Sequence, residues 1–208
     1  MKLVPGLTLC TVSFGSKVFL DLNRRLADAL NGERPWEWLV VENSPAGSPD
    51  ALDGSDSRFT LLGGVEFERK QRAPASYHHG RALNHALEHV RTRFALVMDP
   101  DFYIVRPGWA DTVPQHMEDR GLCFFGVPWH PKFYTKYRYF PCAHCMFVDL
   151  VRAPRESLDF RPSYEDEQPE AEGWGPLHDA CLKIAARALP PRESPAAEAA
   201  PPRYRFIA

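Results

Sequence analysis

The sequence predicts one α/β domain built on a mostly parallel sheet. Three observations carry this prediction. Apolar runs rich in β-formers recur along the first half of the chain, amphipathic helical segments lie between them, and polar residues follow the runs directly. The resulting order, strand, helix, strand, strand, helix, strand, is the pattern of an α/β domain. Ligands of such sheets bind beyond the carboxyl ends of the strands, so the polar residues there are candidates for a site.

The first half of the chain supplies the regular elements. Strands are predicted over residues 7–14, 38–41, 65–68 and 94–98, and residues 44–57, crowded with Ser, Pro, Gly and Asp, are predicted to be a loop. The first helix starts at Ser16, a plausible N-cap, and stops at Asn31-Gly32. Its apolar residues recur at helical spacing, and so do those of a second helix over residues 80–90. These residues are Val18, Leu22, Leu26 and Ala29, then Ala82, Leu83, Ala86, Leu87 and Val90.

The second half is less regular. A short helix interrupted at Pro114 is predicted within residues 108–121, strands over 122–127 and 142–150, a helix over 177–189 and a last strand over 203–207. Residues 128–141 mix aromatic, basic and proline residues, and residues 190–202 are rich in Pro, Ala and Glu. We therefore expect a domain over residues 1–189, followed by a linker and terminal strand over 190–208.

Composition excludes several classes of protein. The hydrophobic fraction of 44% is enough for a core, and a net charge of -2 argues against nucleic-acid binding through a basic face. No apolar run is long enough for a transmembrane helix, and the first residues lack the apolar region of a signal peptide. The five cysteines are odd in number and lie mostly in apolar runs, so we interpret them as reduced residues of a cytoplasmic protein.

Two carboxylates end the fourth strand. Asp99 and Asp101 flank Pro100 and should share a side, because residues i and i+2 of an extended segment point the same way. Carboxylates held close repel each other unless one is protonated or a cation lies between them. Hard oxygen ligands, few in number, suit Mg²⁺ or Mn²⁺ shared with a phosphate-bearing substrate. The alternative is a solvated turn after a strand.

The sequence gives less support to dinucleotide, P-loop, hydrolase and zinc sites. The chain contains no G-x-G-x-x-G after its first strand, no P-loop sequence, no G-x-S-x-G and no H-E-x-x-H. The C-x-x-C pair of Cys142 and Cys145 is compatible with zinc, but a second ligand pair at the usual spacing is missing. Packed thiols are the preferred interpretation of this pair.

Residues 77–101 resemble the central block of family 2 glycosyltransferases of the GT-A fold. The resemblance lies in Gly80-Arg81, Ala82-Leu83-Asn84 and Ala86-Leu87, followed by a strand and the D-x-D of Asp99 and Asp101. Residues 7–16, 38–45 and 177–182 are similar to three further segments of the family, so the resemblance covers roughly residues 7–189. It implies a GT-A-like fold: a Rossmann-like, mostly parallel central sheet flanked by helices, with a small mixed second half.

The resemblance also implies an activity. The chain would be a metal-dependent, inverting glycosyltransferase that uses Mn²⁺ or Mg²⁺ and moves a sugar from a nucleotide-diphosphate sugar to a hydroxyl acceptor. The acceptor would be a glycan, a lipid-linked molecule or a small molecule. By position, Asp101 would bind the metal, Asp99 the ribose or the metal, and Arg81 a phosphate. Asp179 would be the general base, although a first-turn helix acid is an equal interpretation of it.

The nucleoside side of the implied site shows departures from the family. Phe14 and Ser16 would flank the base, and Glu42 with Asn43 would read the nucleoside, but the family usually has Asp at the position of Glu42. His178 stands where the family has Glu, and His78 where Asn is frequent. The family often carries a further histidine that binds metal or acceptor, and His144 and His178 are the candidates for that role here.

An acceptor surface is assigned to residues 128–141. Trp129 and its aromatic neighbours would stack on sugar rings. A partner-binding surface and ordinary packing are the alternatives. Basic residues of the same segment would allow peripheral contact with an anionic lipid carrier or membrane, although a solvated loop is preferred.

Two other functions stay open at this stage. A nucleotidyltransferase has a related α/β fold, but that class usually has a Gly-rich, basic loop after the first strand, and residues 13–16 are not one. A catalytically inactive nucleotide- or carbohydrate-binding module is the other alternative, motivated by the short chain and by the replacement at His178.

Overall fold

A computed structural model describes residues 2–64, 75–128, 140–162, 184 and 204–206 of the chain. Its helices are α1 (Lys17–Leu30), α2 (Ala75–His89) and α3 (Trp109–Arg120). Its strands are β1 (Val4–Ser13), β2 (Trp36–Glu42), β3 (Thr60–Gly63), β4 (Thr92–Met98), β5 (Phe124–Pro128), β6 (Pro141–Asp149) and β7 (Tyr204–Phe206). These strands form one sheet in the order β3-β2-β1-β4-β6-β5-β7.

Most neighbouring strands of the sheet are parallel. β1 pairs in parallel with β2 and β4, β2 with β3, and β5 with β7. β6 runs antiparallel to both of its neighbours, β4 and β5. The predicted mostly parallel sheet with a mixed second half is therefore confirmed. The carboxyl ends of β1, β2 and β4 meet at one end of the sheet, and the start of β6 joins them there.

Helices cover both faces of the sheet. On one face Cys10 and Val12 of β1 pack with the apolar side of α2, which includes Leu83 and Leu87. On the other face Leu7 and Leu9 pack with α1 and α3. Successive residues of β1 thus point into two different cores, which explains why the strand is an unbroken apolar run in the sequence. The apolar face predicted for α2 is confirmed in full, because Ala82, Leu83, Ala86, Leu87 and Val90 are all buried.

The predicted face of α1 is wrong. Val18 and Leu22 are exposed, whereas Leu20, Asn23 and Ala27 are buried. Relative to the prediction, the helix is rotated about its axis so that the polar Asn23 points inward, where its side chain forms the hydrogen bonds described below. Ser16 starts the helix through its carbonyl, which accepts from Leu20 N, but its side chain makes no capping bond to the helix.

Two further elements differ from expectation. α3 continues through Pro114 rather than breaking there. The proline removes one N–H from the helix, and its ring is buried in the packed interior. β3, at Thr60–Gly63, is a strand that the sequence did not predict, and the strand predicted over residues 65–68 falls outside the described part of the chain. Of the helix predicted over 177–189, only Ile184 is described, and it is helical and buried.

None of the helices that the structure describes is both long and apolar enough to cross a membrane.

Candidate functional site

The acidic turn after β4 is held in place by the start of β6. Asp99 N donates to the carbonyl of His144 at 3.1 Å, and Phe102 N donates back to the carbonyl of Asp99 at 3.1 Å. The first of these hydrogen bonds extends the pairing of β4 and β6 by one position, and the second closes the turn. Asp99 and Asp101 both border one cavity. The prediction that they share a side assumed an extended segment, whereas residues 99–102 form a hydrogen-bonded turn, so that premise is wrong.

Asn23 of α1 clamps this turn from the other side. It is only 2% exposed, and its amide nitrogen donates to the carbonyls of Pro100 at 3.0 Å and Phe102 at 2.7 Å. Burying an amide is unfavourable unless its hydrogen bonds are made, and here two are made to consecutive parts of the same turn. Sequence analysis missed this residue, since a single asparagine in an amphipathic helix carries no distinctive pattern.

Asp99 lies between two histidines. Its Oδ1 is 3.5 Å from Nε2 of His79 on α2, and its Oδ2 is hydrogen-bonded to Nδ1 of His144 on β6. The carboxylate therefore links three elements at the same end of the sheet. His144 was a candidate from the sequence, whereas His79 was not. These contacts orient Asp99, while Asp101 points to solvent.

A cavity of about 630 Å³ opens beside the acidic turn. Its walls come from the ends of β1 and β2, the first turn of α2 and the turn itself. The lining residues include Phe14, Ser16, Asn43, Ser76, His78, His79, Asp99 and Asp101. This volume lies within the range of about 300–1,000 Å³ that is usual for small-molecule sites. The structure therefore brings together five of the residues predicted for nucleotide or metal binding.

The loops after β1 and β2 are tied to each other at the rim of this cavity. Asn43 N donates to the carbonyl of Ser13 at 2.9 Å, and Gly15 N donates to Oγ of Ser44 at 2.7 Å. Oγ of Ser16 donates to the carbonyl of Phe14 at 3.2 Å, so this hydroxyl shapes the loop. Phe14 itself is 66% exposed and presents an aromatic side chain at the cavity.

Glu42 has a different environment from Asn43. Its Oε1 accepts from Ser44 N at 2.8 Å and its Oε2 accepts from Leu52 N at 2.9 Å. The carboxylate thus organises the loop that follows β2, and Glu42 is not among the described residues that line the cavity. Arg81 is likewise not among the described residues that line the cavity, so its contact with phosphate stays a prediction. Trp129, His178 and Asp179 lie outside the described residues.

Gly80 and Asn84 of α2 contact the backbone of a neighbouring segment. Asn84 donates through its amide nitrogen to Oδ1 of Asp159 at 2.8 Å and accepts from Phe160 N at 2.9 Å. Burial raises the pKa of Asp159, but hydrogen bonds from Arg161 and Asn84 outweigh it, so that the pKa lies below its ordinary value. A Cβ on Gly80 would lie 2.7 Å from the carbonyl carbon of Phe160 and 2.9 Å from Cα of Arg161. The glycine is therefore required for close approach.

Replacing Gly80 with alanine should lower the free energy of unfolding by about 1–3 kcal/mol, because the new Cβ forces backbone to move. In a helix without such a neighbour the same change would stabilise by about 0.5–1 kcal/mol. Urea unfolding followed by circular dichroism measures the difference. The control is Gly54→Ala, where no atom lies within 4 Å of the added Cβ. A Gly80→Ala variant as stable as this control would contradict the packing argument.

The structure does not support a zinc site at Cys142 and Cys145. Both thiols are buried in β6, and residues i and i+3 of a strand point to opposite faces. Burial raises the pKa of each thiol above its ordinary value, whereas zinc binds the thiolate. Among the residues described, no group of three His, Cys, Asp or Glu side chains is placed to hold a metal ion.

Comparison of the sequence with protein-family models and with curated proteins gives no match. Comparison of the fold with solved structures gives several. The mannosyltransferase PcManGT from Pyrobaculum calidifontis, solved with GDP-Man and Mn²⁺, has a TM-score of 0.49 at 15% identity, over 72% of this chain and 47% of that one. S. aureus TarS 1-349 with UDP-GlcNAc has a TM-score of 0.46 at 13% identity, over 74% of this chain and 48% of that one.

A further structure of S. aureus TarS has a TM-score of 0.50 at 12% identity and covers 87% of this chain. This likeness, together with the observed sheet, confirms the GT-A-like α/β fold. At such identity it shows the fold alone. The chain spans about half the length of PcManGT and of TarS 1-349, and 34% of the longer TarS chain.

Proposed function

We propose that this chain, which has a GT-A-like fold, transfers a sugar from a nucleotide-diphosphate sugar to a hydroxyl acceptor with inversion at the anomeric carbon. One observation carries the proposal. Asp99 and Asp101 border the same cavity as Phe14 and Asn43, at the carboxyl end of the parallel strands. An exposed aromatic ring suits a planar base, and paired carboxylates suit a cation that accompanies a diphosphate.

The two carboxylates fit Mg²⁺ or Mn²⁺ in a specific way. Such ions are commonly held by one or two carboxylates together with substrate phosphates, rather than by a cage made only of protein. The described residues offer two acids at the turn. Asp101 and Asp99 would hold the ion, which would neutralise charge that develops on the leaving diphosphate.

The chain's own groups position the substrate. Phe14 offers its ring to the base, and Asn43 offers an amide beside it at the cavity wall. The amino-terminal end of α2 contributes Ala75 and Ser76 to the same wall, and the helix dipole favours negative charge there. Arg81 belongs to the proposal as a further phosphate contact.

The acceptor side of the proposal rests on residues outside the described part of the chain. Asp179 is the proposed base that removes the proton of the acceptor hydroxyl as its oxygen attacks the anomeric carbon. Direct attack with one base inverts the configuration. Trp129 and its aromatic neighbours are the proposed acceptor platform, and a glycan or a lipid-linked molecule is the proposed acceptor.

Thermal unfolding with nucleotide sugars tests donor binding. A sugar nucleotide at about one hundred times its dissociation constant should stabilise the protein by about 2.7 kcal/mol and raise the melting temperature by roughly 5–10 °C. We expect this shift with Mn²⁺ or Mg²⁺ and not with chelator, because the ion links the carboxylates to the diphosphate. UDP, GDP, dTDP and CDP sugars form the panel that identifies the base.

The outcome of this screen separates the alternatives. An equal shift in chelator would contradict the shared metal, and no shift with any member of the panel would contradict donor binding altogether. Release of nucleoside diphosphate in the presence of an acceptor distinguishes a transferase from a module that only binds nucleotides. Release of pyrophosphate from a nucleoside triphosphate and a sugar phosphate would instead indicate a nucleotidyltransferase.

A further inference from the structure

The two acids of the turn after β4 are held in different ways. The carboxylate of Asp99 contacts His79 and His144 directly. Asp101 is exposed and borders the same cavity, but no described residue forms a hydrogen bond or an ion pair with its carboxylate. Within the described part of the chain, the direction of the Asp101 side chain is therefore set by the backbone of the turn.

Asn23 of α1 holds this backbone on both sides of Asp101. Its amide nitrogen donates to the carbonyl of Pro100 at 3.0 Å and to the carbonyl of Phe102 at 2.7 Å. The first carbonyl belongs to the residue before Asp101 and the second to the residue after it. A single side chain thus ties both flanks of Asp101 to α1, which limits the directions in which the Cα–Cβ bond of Asp101 can point.

The packing of α1 does not by itself explain an amide at this position. The two other buried residues of the helix, Leu20 and Ala27, are apolar. Asn23 is just as deeply buried, at 2% exposure, and burying an amide is unfavourable unless its hydrogen bonds are made. In a low-dielectric interior such bonds are strong. The turn that the amide binds is therefore the feature that accounts for Asn23.

We propose that Asn23 is a positioning residue for the metal, which acts through the backbone of the turn to hold the carboxylate of Asp101 in its binding direction. This role rests on the proposed function, because that function assigns Mn²⁺ or Mg²⁺ to Asp101. Asn23 itself touches neither the ion nor the substrate. Residues that orient a metal ligand from behind typically change metal affinity about 10–100-fold when they are replaced.

Metal titrations of an Asn23→Leu variant test this role. Leucine is similar in size and branching but donates no hydrogen bond. The relaxation rate of water protons reports Mn²⁺ that is bound to protein, in the presence of UDP, GDP, dTDP or CDP. We expect the variant to bind Mn²⁺ about 10–100-fold more weakly than the parent protein does. Asn23→Ala, which removes the same bonds and has the highest helix propensity, should show the same loss.

Two controls separate positioning from a general loss of stability. Ala29→Gly, at an exposed position of the same helix, should lower the melting temperature and leave Mn²⁺ affinity unchanged. In an Asp101→Asn background, Asn23→Leu should weaken Mn²⁺ binding no further, because the group that it positions has been removed. A further loss of the same size in that background would overturn the proposal.

The remaining outcomes distinguish this role from the proposed function. If the parent binds Mn²⁺ and the Asn23→Leu variant binds it equally well, the metal site stands and only the role of Asn23 is refuted. Equal losses of Mn²⁺ affinity in Asn23→Leu and Ala29→Gly would refute it too, since lower stability would explain both. A parent protein that binds no Mn²⁺ with any of the four nucleotides would overturn the proposed metal site and the role of Asn23 together.

Discussion

Replacing Asp101 with asparagine is expected to lower the rate of the proposed sugar transfer at least about a hundredfold and to leave stability unchanged. Asp101 is exposed at the mouth of the cavity, and no described residue hydrogen-bonds its carboxylate. Its loss should therefore change the free energy of unfolding by less than about 0.5 kcal/mol. Charge stabilisation by a metal contributes several kcal/mol to catalysis, and about 1.4 kcal/mol corresponds to a factor of ten in rate.

Two measurements on the same sample check this expectation. One follows release of nucleoside diphosphate at saturating Mn²⁺, and the other is the melting temperature with and without sugar nucleotide. Asp119→Asn on α3, far from the acidic turn in sequence and also exposed, is the matched control and should retain full activity. An Asp101→Asn variant that keeps both its activity and its metal-dependent thermal shift would refute the assignment of this residue to the metal.

Replacing Asp149 with alanine should lower the free energy of unfolding by about 3 kcal/mol or more, the largest loss among the substitutions proposed for this protein. This aspartate, at the end of β6, is fully buried. Its oxygens accept from Arg93 at 2.8 and 3.2 Å, from Arg152 at 2.5 Å and from Val151 N at 3.0 Å. Removal of one partner from a buried ion pair is strongly destabilising, because the remaining charges lose their compensation. The contact with Arg93 also joins β6 to β4.

The same cluster predicts how stability depends on pH. Burial raises the pKa of Asp149, but the hydrogen bonds from Arg93, Arg152 and Val151 N outweigh it, and the pKa lies below its ordinary value. In the unfolded chain the carboxyl of Asp149 titrates at about pH 3.9, so its contribution to the free energy of unfolding is complete above that pH. It is lost as the pH falls through the lower pKa of the folded state.

Urea unfolding at several pH values between 7 and 3 measures both effects. The parent protein should lose stability steeply below about pH 4, and the Asp149→Ala variant should lose less over the same interval. Asp28→Ala, which removes an exposed i,i+4 pair with Arg24, is the control and should cost less than about 0.5 kcal/mol. Equal slopes for the parent and the Asp149→Ala variant would contradict the linkage.

Much of the fold could be predicted from local patterns. The strands β1, β2, β4, β5 and β6 lie within a few residues of their predicted positions, because each is an apolar run buried on both faces. α2 was predicted with the correct face, because small and apolar residues alternate there with polar ones at helical spacing. The acidic turn was located because two carboxylates directly follow a buried strand.

Other features depend on distant contacts that no local pattern reports. The face of α1 was predicted wrongly, because Asn23 points inward and donates hydrogen bonds to the carbonyls of Pro100 and Phe102, which are distant in sequence. The environment of Glu42 depends on Leu52, ten residues further along the chain. Pro114 was expected to interrupt α3, but the helix continues through it and its ring is buried against the rest of the protein.

The sequence by itself determined the α/β class and the presence of two carboxylates at the carboxyl end of the parallel strands. These properties follow from the spacing of apolar and polar residues, which is a local quantity. Only the tertiary structure decided how the carboxylates are held. Asp99 is fixed between His79 and His144, and the turn is clamped by Asn23, through polar contacts that join residues from 20 to more than 70 positions apart. Such contacts depend on distance and direction in three dimensions, which spacing along the chain does not encode.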